Sequence, residues 1–133
     1  MSLRVGVVTF PGSLDDRDAA RAVRIAGGES VSLWHGDDDL KSVDAVVLPG
    51  GFSYGDSLGA GRMLALDLAL GIGDALRDFV ASGRPLVGIC NGFQALVNLG
   101  LLPGLEGDYQ KRSVAITFND CGNFRDQWVH LAG

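Results

Sequence analysis

Leu86-Val87-Gly88-Ile89-Cys90-Asn91-Gly92-Phe93-Gln94 joins an apolar strand to a helix through a single cysteine. Pro85 to Ile89 reads as a short strand, Cys90-Asn91-Gly92 as a sharp turn, and Phe93 to Leu99 as a helix ended by Gly100. The pattern G-x-C-x-G between strand and helix follows the physics of a nucleophile elbow. The turn lifts one side chain out at the end of a strand, and Gly88 and Gly92 make room where strand and helix come close. The thiol then lies at a helix N-terminus, where backbone N–H groups and the macrodipole favour the thiolate. An unperturbed thiol, with a pKa near ~8.5, is mostly protonated at neutral pH. The N–H of Asn91 can face a developing oxyanion. The alternative is a small buried core residue, the commonest fate of a free cysteine. That alternative suits Cys121, which has no comparable setting.

The chain before the elbow supplies a sheet for it to sit on. Leu3 to Phe10 and Val43 to Leu48 are nearly continuous apolar runs, as expected of strands covered on both faces. Glu29 to Trp34 reads as a further strand between them. Pro11-Gly12 closes the first run, and Ser13 with Asp16 suggests a capping box before a helix with Ala19, Ala20, Val23 and Ala26 on one face. Gly27-Gly28 stops it. Asp37-Asp38-Asp39 reads as a solvated turn. Leu58 to Ser82 is mostly helical, with Leu68, Ile72, Leu76, Phe79 and Val80 sharing a face; Gly71 and Gly73 weaken its middle and can divide it. Leucines 64, 66, 68 and 70 also fit a period of two. After Gly107, Ser113 to Phe118 and Gln127 to Leu131 look like two more strands.

The order β-α-β-β-α-β-α predicts an α/β fold, with a mostly parallel sheet, helices on both faces and right-handed crossovers. In such sheets the reactive site lies at the carboxyl ends of the strands. The turn after Ile89 falls there. So does Pro49-Gly50-Gly51-Phe52-Ser53-Tyr54-Gly55-Asp56, the glycine-rich loop after Leu48. Consecutive glycines let N–H groups turn into a cavity. Gly51 or Phe52 can thus supply one oxyanion donor and Asn91 another. Alone, the loop would read as an ordinary turn. It is not a phosphate loop, for it lacks G-x-x-x-x-G-K-[ST] and contains no lysine.

Composition narrows the partners. The chain has 133 residues, 47% hydrophobic and 20% charged, which suits one globular domain with its own core. A formal charge of −5 argues against a nucleic-acid surface. Met63 to Ile72, the longest leucine-rich run, contains Asp67 and is too short to span a bilayer. No signal-type segment leads the chain, and two unpaired-looking cysteines suit a reducing cytoplasm.

The segments Leu48-Pro49-Gly50-Gly51-Phe52-Ser53-Tyr54-Gly55-Asp56 and Gly88-Ile89-Cys90-Asn91-Gly92-Phe93-Gln94 resemble the class I glutamine amidotransferases, and among them the glutaminase subunits of phosphoribosylformylglycinamidine synthases. Thr9-Phe10-Pro11-Gly12-Ser13, Gly100-Leu101-Leu102-Pro103-Gly104, Asn119-Asp120-x-Gly122-x-Phe124 and Trp128-Val129 extend the resemblance along the whole chain. It implies a three-layer, flavodoxin-like fold, with residues 1–133 as the N-terminal portion of a type 1 glutamine amidotransferase domain that is incomplete at its C-terminus. It also implies glutamine hydrolysis through a cysteine thioester. Ammonia would pass to a synthetase subunit, which with a small accessory subunit converts formylglycinamide ribonucleotide to its amidine. ATP and magnesium belong to the synthetase, and no cofactor to this chain. By the same resemblance Cys90 is the nucleophile, Gly51 and Asn91 hold the oxyanion with Phe52 near it, and Gln94 seats glutamine.

There is one departure. The family's catalytic His and Glu form an H-x-E motif. The two histidines here, His35 and His130, are followed at that spacing by Asp37 and Ala132. A thiol needs a base, and leaving ammonia an acid, so these residues alone are expected to turn over glutamine poorly. Two other readings stay open: a short, catalytically weak binding or scaffold module, and another cysteine-elbow α/β family of peptidase or deglycase type.

Overall fold

The computed structural model describes residues 1–133. Its centre is a four-stranded, wholly parallel sheet in the order β2-β1-β3-β4, formed by Arg4–Thr9 (β1), Glu29–Trp34 (β2), Ala45–Leu48 (β3) and Leu86–Gly88 (β4). Asp16–Ile25 (α1) packs on β1 and β2. Arg62–Leu70 (α2), Gly73–Ala81 (α3) and Asn91–Leu99 (α4) gather on the other face, where one cluster joins Val8, Val46 and Leu48 to Leu68, Ile72, Leu76, Phe79 and Leu96. This is the arrangement right-handed crossovers impose when a chain leaves β1 in one direction and β3 in the other. Helices thus flank both faces, but α1 packs chiefly on β1 and β2, and Val87 of β4 and the following Ile89 are half exposed.

Burial settles the ambiguous leucines. Leu64 and Leu68, four residues apart, are fully buried, whereas Leu66 and Leu70 are exposed. That is the signature of a helix rather than a strand. The long helical region does divide, at Gly71 and Ile72 between α2 and α3.

Two local expectations fail. The Ser13–Asp16 capping box does not form: the N-cap of α1 is Asp15, and its side chain makes no cap hydrogen bond. Residues 11–15 are held instead by contacts with the glycine-rich loop. Nor do Ser113–Phe118 and Gln127–Leu131 form strands. The chain leaves α4 across the helical face, where Tyr109 O accepts from Arg77 Nε (3.1 Å) and Arg112 donates to Asn98 Oδ1 (3.0 Å). With no ladder to join, the alternating residues Val114, Ile116 and Phe118 stay exposed, as does Trp128. Strand propensity without a partner edge does not make a strand.

Candidate active site

Three loops meet at the carboxyl ends of β1, β3 and β4, beside the point where strand order reverses. The first two are laced together. Ser13 and Gly51 face each other in an isolated antiparallel bridge. Around it the Phe52 N–H donates to Gly12 O (3.1 Å), the Leu14 and Asp15 N–H groups to Gly50 O (3.4 and 3.3 Å), and the Tyr54 N–H to Pro11 O (3.1 Å). In such a bridge the flanking residues exchange the hydrogen bonds and the facing pair does not. The Gly51 N–H is therefore left unspent. A Cβ on Gly51 would lie 2.7 Å from Gly12 O and 3.0 Å from Leu14 N, so only glycine permits this lacing. Phe52 is corrected here. Its N–H is committed to Gly12 and is not a free oxyanion donor, while its side chain stays exposed beside the loop.

The elbow forms as the sequence suggests. Cys90 adopts φ 53° and ψ −112°, a region that costs a non-glycine residue about 1–3 kcal/mol. Its side chain is exposed. Two close approaches hold the turn: a Cβ on Gly92 would collide with the Leu48 carbonyl, and one on Gly88 would lie 2.6 Å from Leu96 Cδ1. Because α4 opens at Asn91, that residue's N–H belongs to the first turn, which no intrahelical carbonyl satisfies.

The Asn91 side chain has a second task that its sequence position did not reveal. It is buried (1% exposed) and fully engaged. Its Oδ1 accepts from the Ser53 N–H (3.0 Å), and its Nδ2 donates to Asp56 Oδ1 (3.1 Å) and Gln94 Oε1 (3.2 Å). One amide thus clamps the glycine-rich loop to the elbow. Ser53 and Asp56 belong to the site through this clamp, and only their place in the loop hinted at it.

Gln94, one turn into α4, reaches a cavity of about 780 Å³ that is also lined by Arg62, Asn98, Arg112, Phe118 and Phe124. Cys90 is not in its wall. Much of that wall is the extended segment after Arg112, so the elbow, rather than cavity size, locates the chemistry.

The remaining candidates lie apart. His35 packs against Trp34 (ring centroids 4.5 Å apart) and Tyr54, and its Nδ1 is 3.1 Å from Asp67 Oδ2. The separation suits an ion pair, although that nitrogen makes no aligned hydrogen bond. Asp67 also accepts from the Tyr54 hydroxyl. Burial first, then that carboxylate, pushes the Tyr54 phenol up to about 12. His35 is therefore tied to the outer end of the loop. His130 and Cys121 are exposed on the extended tail. Asp37 closes the turn after β2, and its hydrogen bond from Lys41 holds its carboxyl below the usual range. No three His, Cys, Asp or Glu side chains are grouped to hold a metal, and no helix is long and apolar enough to cross a membrane.

A parallel sheet with a cysteine elbow at the end of β4, faced by a glycine-rich loop from β3, defines a class. The chain belongs to the CobB/CobQ-like glutamine amidotransferase domain family, whose profile matches residues 2–133. It is 53% identical over 133 residues to phosphoribosylformylglycinamidine synthase subunit PurQ of Rhodococcus jostii, covering 98% of this chain and 53% of that one. It is 61% identical over 104 residues to the subunit of the same name from Mycobacterium leprae, covering 78% and 45%. Among solved structures, that of PurLQS from Thermotoga maritima superposes with a TM-score of 0.70 at 41% identity, over 77% of this chain and 46% of that one. The fold is that of the class I glutamine amidotransferases, and other cysteine-elbow families are set aside. The chain spans about half the length of the curated relatives it matches.

Proposed function

We propose that this chain carries the thiol of a glutaminase that supplies ammonia to a phosphoribosylformylglycinamidine synthase. The observation that supports it best is the exposed elbow cysteine, fixed beside a loop whose Gly51 N–H has no partner in the fold. The Cys90 thiolate attacks the carboxamide carbon of glutamine, and the carbonyl π pair moves onto oxygen. The N–H groups of Gly51 and Asn91 stabilise that oxyanion. Collapse breaks the C–N bond, the nitrogen takes a proton and leaves as ammonia, and water then hydrolyses the thioester to glutamate. Gln94 seats the substrate from the first turn of α4. Its Oε1 is held by Asn91, which fixes the amide plane and leaves its NH₂ group to donate.

Ammonia passes to a synthetase subunit. There ATP and magnesium drive conversion of formylglycinamide ribonucleotide to formylglycinamidine ribonucleotide, in the cytoplasm and with a small accessory subunit. This chain contributes no cofactor and contacts neither nucleic acid nor membrane. The proton transfers need a base that these 133 residues do not offer in H-x-E form, since His35 is held by Asp67 and His130 lies on the exposed tail. Steady turnover by the 133 residues alone is accordingly negligible.

A chloromethyl ketone analogue of glutamine tests the reading without requiring turnover. It should label Cys90 selectively, with free glutamine protecting, and ammonia release should stay at the level of a Cys90→Ala control. Equal labelling of Cys121, or labelling that glutamine does not slow, would refute a glutamine site and favour a scaffold module.

A further inference from the structure

Asp15 stands where a carboxylate ordinarily caps a helix by accepting from a first-turn N–H. As the N-cap of α1 it makes no such bond. It forms no ion pair either, although Asp16 beside it accepts from Thr9 Oγ1 (3.3 Å). The Asp15 carboxylate leans over Gly50 instead. A Cβ on Gly50 would lie 2.5 Å from Asp15 Oδ2 and 3.5 Å from Cys90 Cβ, so carboxylate and nucleophile share the space above one glycine. The approach is not a loose one, because the Asp15 N–H donates to Gly50 O at 3.3 Å. A residue that gives up its local hydrogen bond to face a reactive group is where local rules yield to function.

The chemistry of the substrate gives this carboxylate a use. A carboxamide presents an oxygen that needs donors and an NH₂ that needs acceptors. The N–H groups of Gly51 and Asn91 answer the first need. Asp15 is an acceptor with no partner of its own beside Cys90. We propose that Asp15 determines specificity at this site by accepting from the NH₂ of the scissile primary carboxamide and repelling a carboxylate in the same place. Glutamine is thereby favoured over glutamate, its own hydrolysis product. The inference rests on the glutaminase reading for the identity of the substrate, but not for its test.

The test uses small electrophiles on the intact chain, with Cys121 as an internal reference. Rate constants for Cys90 with iodoacetamide and iodoacetate are measured by peptide mapping in the wild type, Asp15→Asn and Asp15→Ala. Removing one charge this close should raise the iodoacetate rate roughly three- to tenfold at low salt, and the iodoacetamide rate much less. Added salt should speed iodoacetate at Cys90 more in the wild type than in Asp15→Ala, a comparison that leaves out Cys121 because Asp120 adjoins it. Chloroacetamide should outpace its N,N-dimethyl derivative at Cys90 by more than at Cys121, and Asp15→Ala should erase that difference. An iodoacetate-to-iodoacetamide ratio at Cys90 unmoved by both substitutions, or a salt effect at Cys90 that Asp15→Ala leaves unchanged, would overturn the proposal. Failure of glutamine protection in the ketone experiment would overturn the glutaminase reading separately, since these ratios involve no glutamine.

Discussion

Gly92→Ala sets two physical effects in direct opposition. Gly92 lies in the first turn of α4, where helix propensity alone says that alanine stabilises by up to about 1 kcal/mol. Packing says the reverse. A Cβ there would collide with the Leu48 carbonyl oxygen and lie 2.6 Å from Leu48 C and 2.8 Å from Leu48 Cβ, where ordinary contacts begin near 3.4 Å. Two of these three atoms are backbone of β3, so no side-chain rotation relieves the clash. α4 would have to retreat from the sheet by several tenths of an ångström, loosening Ala95, Leu96 and Leu99 in the core. Overpacking of this kind costs about 1–3 kcal/mol, and close-packed backbone puts this site at the upper end.

Net of the propensity gain, the variant should lose roughly 2 kcal/mol, which for a chain of this size lowers Tm by about 6–10 °C. Thermal melts followed by circular dichroism, with Cys90 labelling rates on the same samples, provide the check. Gly27→Ala is the control. It has a positive φ of 85° but open space around its Cβ, so it should lose only about 1 kcal/mol through backbone strain and leave Cys90 reactivity unchanged. A Gly92→Ala melt at or above the wild-type temperature would refute the claim that β3 and α4 touch through this glycine.

Two more outcomes follow from the loop. Asn91→Ala removes the acceptor for the buried Ser53 N–H and should cost about 1–3 kcal/mol; hydrogen exchange at the Ser53 amide should accelerate, and unchanged protection would show that the clamp is not formed. The folded state raises the Tyr54 phenol from 10.0 to about 12, so its stabilising contribution is complete below about pH 10 and is lost as pH rises through 12; urea midpoints should fall more steeply over that range in the wild type than in Tyr54→Phe, and parallel curves would contradict the burial of the phenol.

The parts legible in the sequence were those in which local pattern and global fold agree. The valine run of β1, the shared helical face of Leu68, Ile72, Leu76 and Phe79, and the glycines around Cys90 each imply one geometry and are found in it. What escaped was tertiary. Ser13 followed by Asp16 has the form of a capping box, yet residues 11–15 are recruited by Gly50 and Gly51, leaving the Ser13 hydroxyl buried without a partner. Ser113–Phe118 has strand-like alternation, but alternation cannot say whether a neighbouring edge exists. Phe52 and Gly51 are adjacent in one glycine-rich loop, and only the register of the bridge to Ser13 shows which N–H is spent. Asp15 carried no motif of its own, and its position became informative only once Gly50 and Cys90 were seen beside it.

Backbone strain connects these details. Six non-glycine residues have positive φ, and three of them, Tyr54, Asp56 and Cys90, belong to the loop and the elbow. Each costs about 1–3 kcal/mol and persists only where its surroundings over-determine it. The restraints are identifiable. Tyr54 is held at its N–H by Pro11 O and at its hydroxyl by Asp67, Asp56 by Asn91 Nδ2 and the Gly61 N–H, and Cys90 by the packing of α4 against Leu48. Asn91 appears on both sides of this arrangement, as the first residue of α4 and as the clamp on the loop. The glycine-rich loop and the thiol are therefore set by one buried side chain rather than by two independent loops. A disturbance at Ser53 or Asp56 reaches Cys90 through hydrogen bonds of 3.0 and 3.1 Å, and rigidity at the elbow is inherited from the core beneath α4.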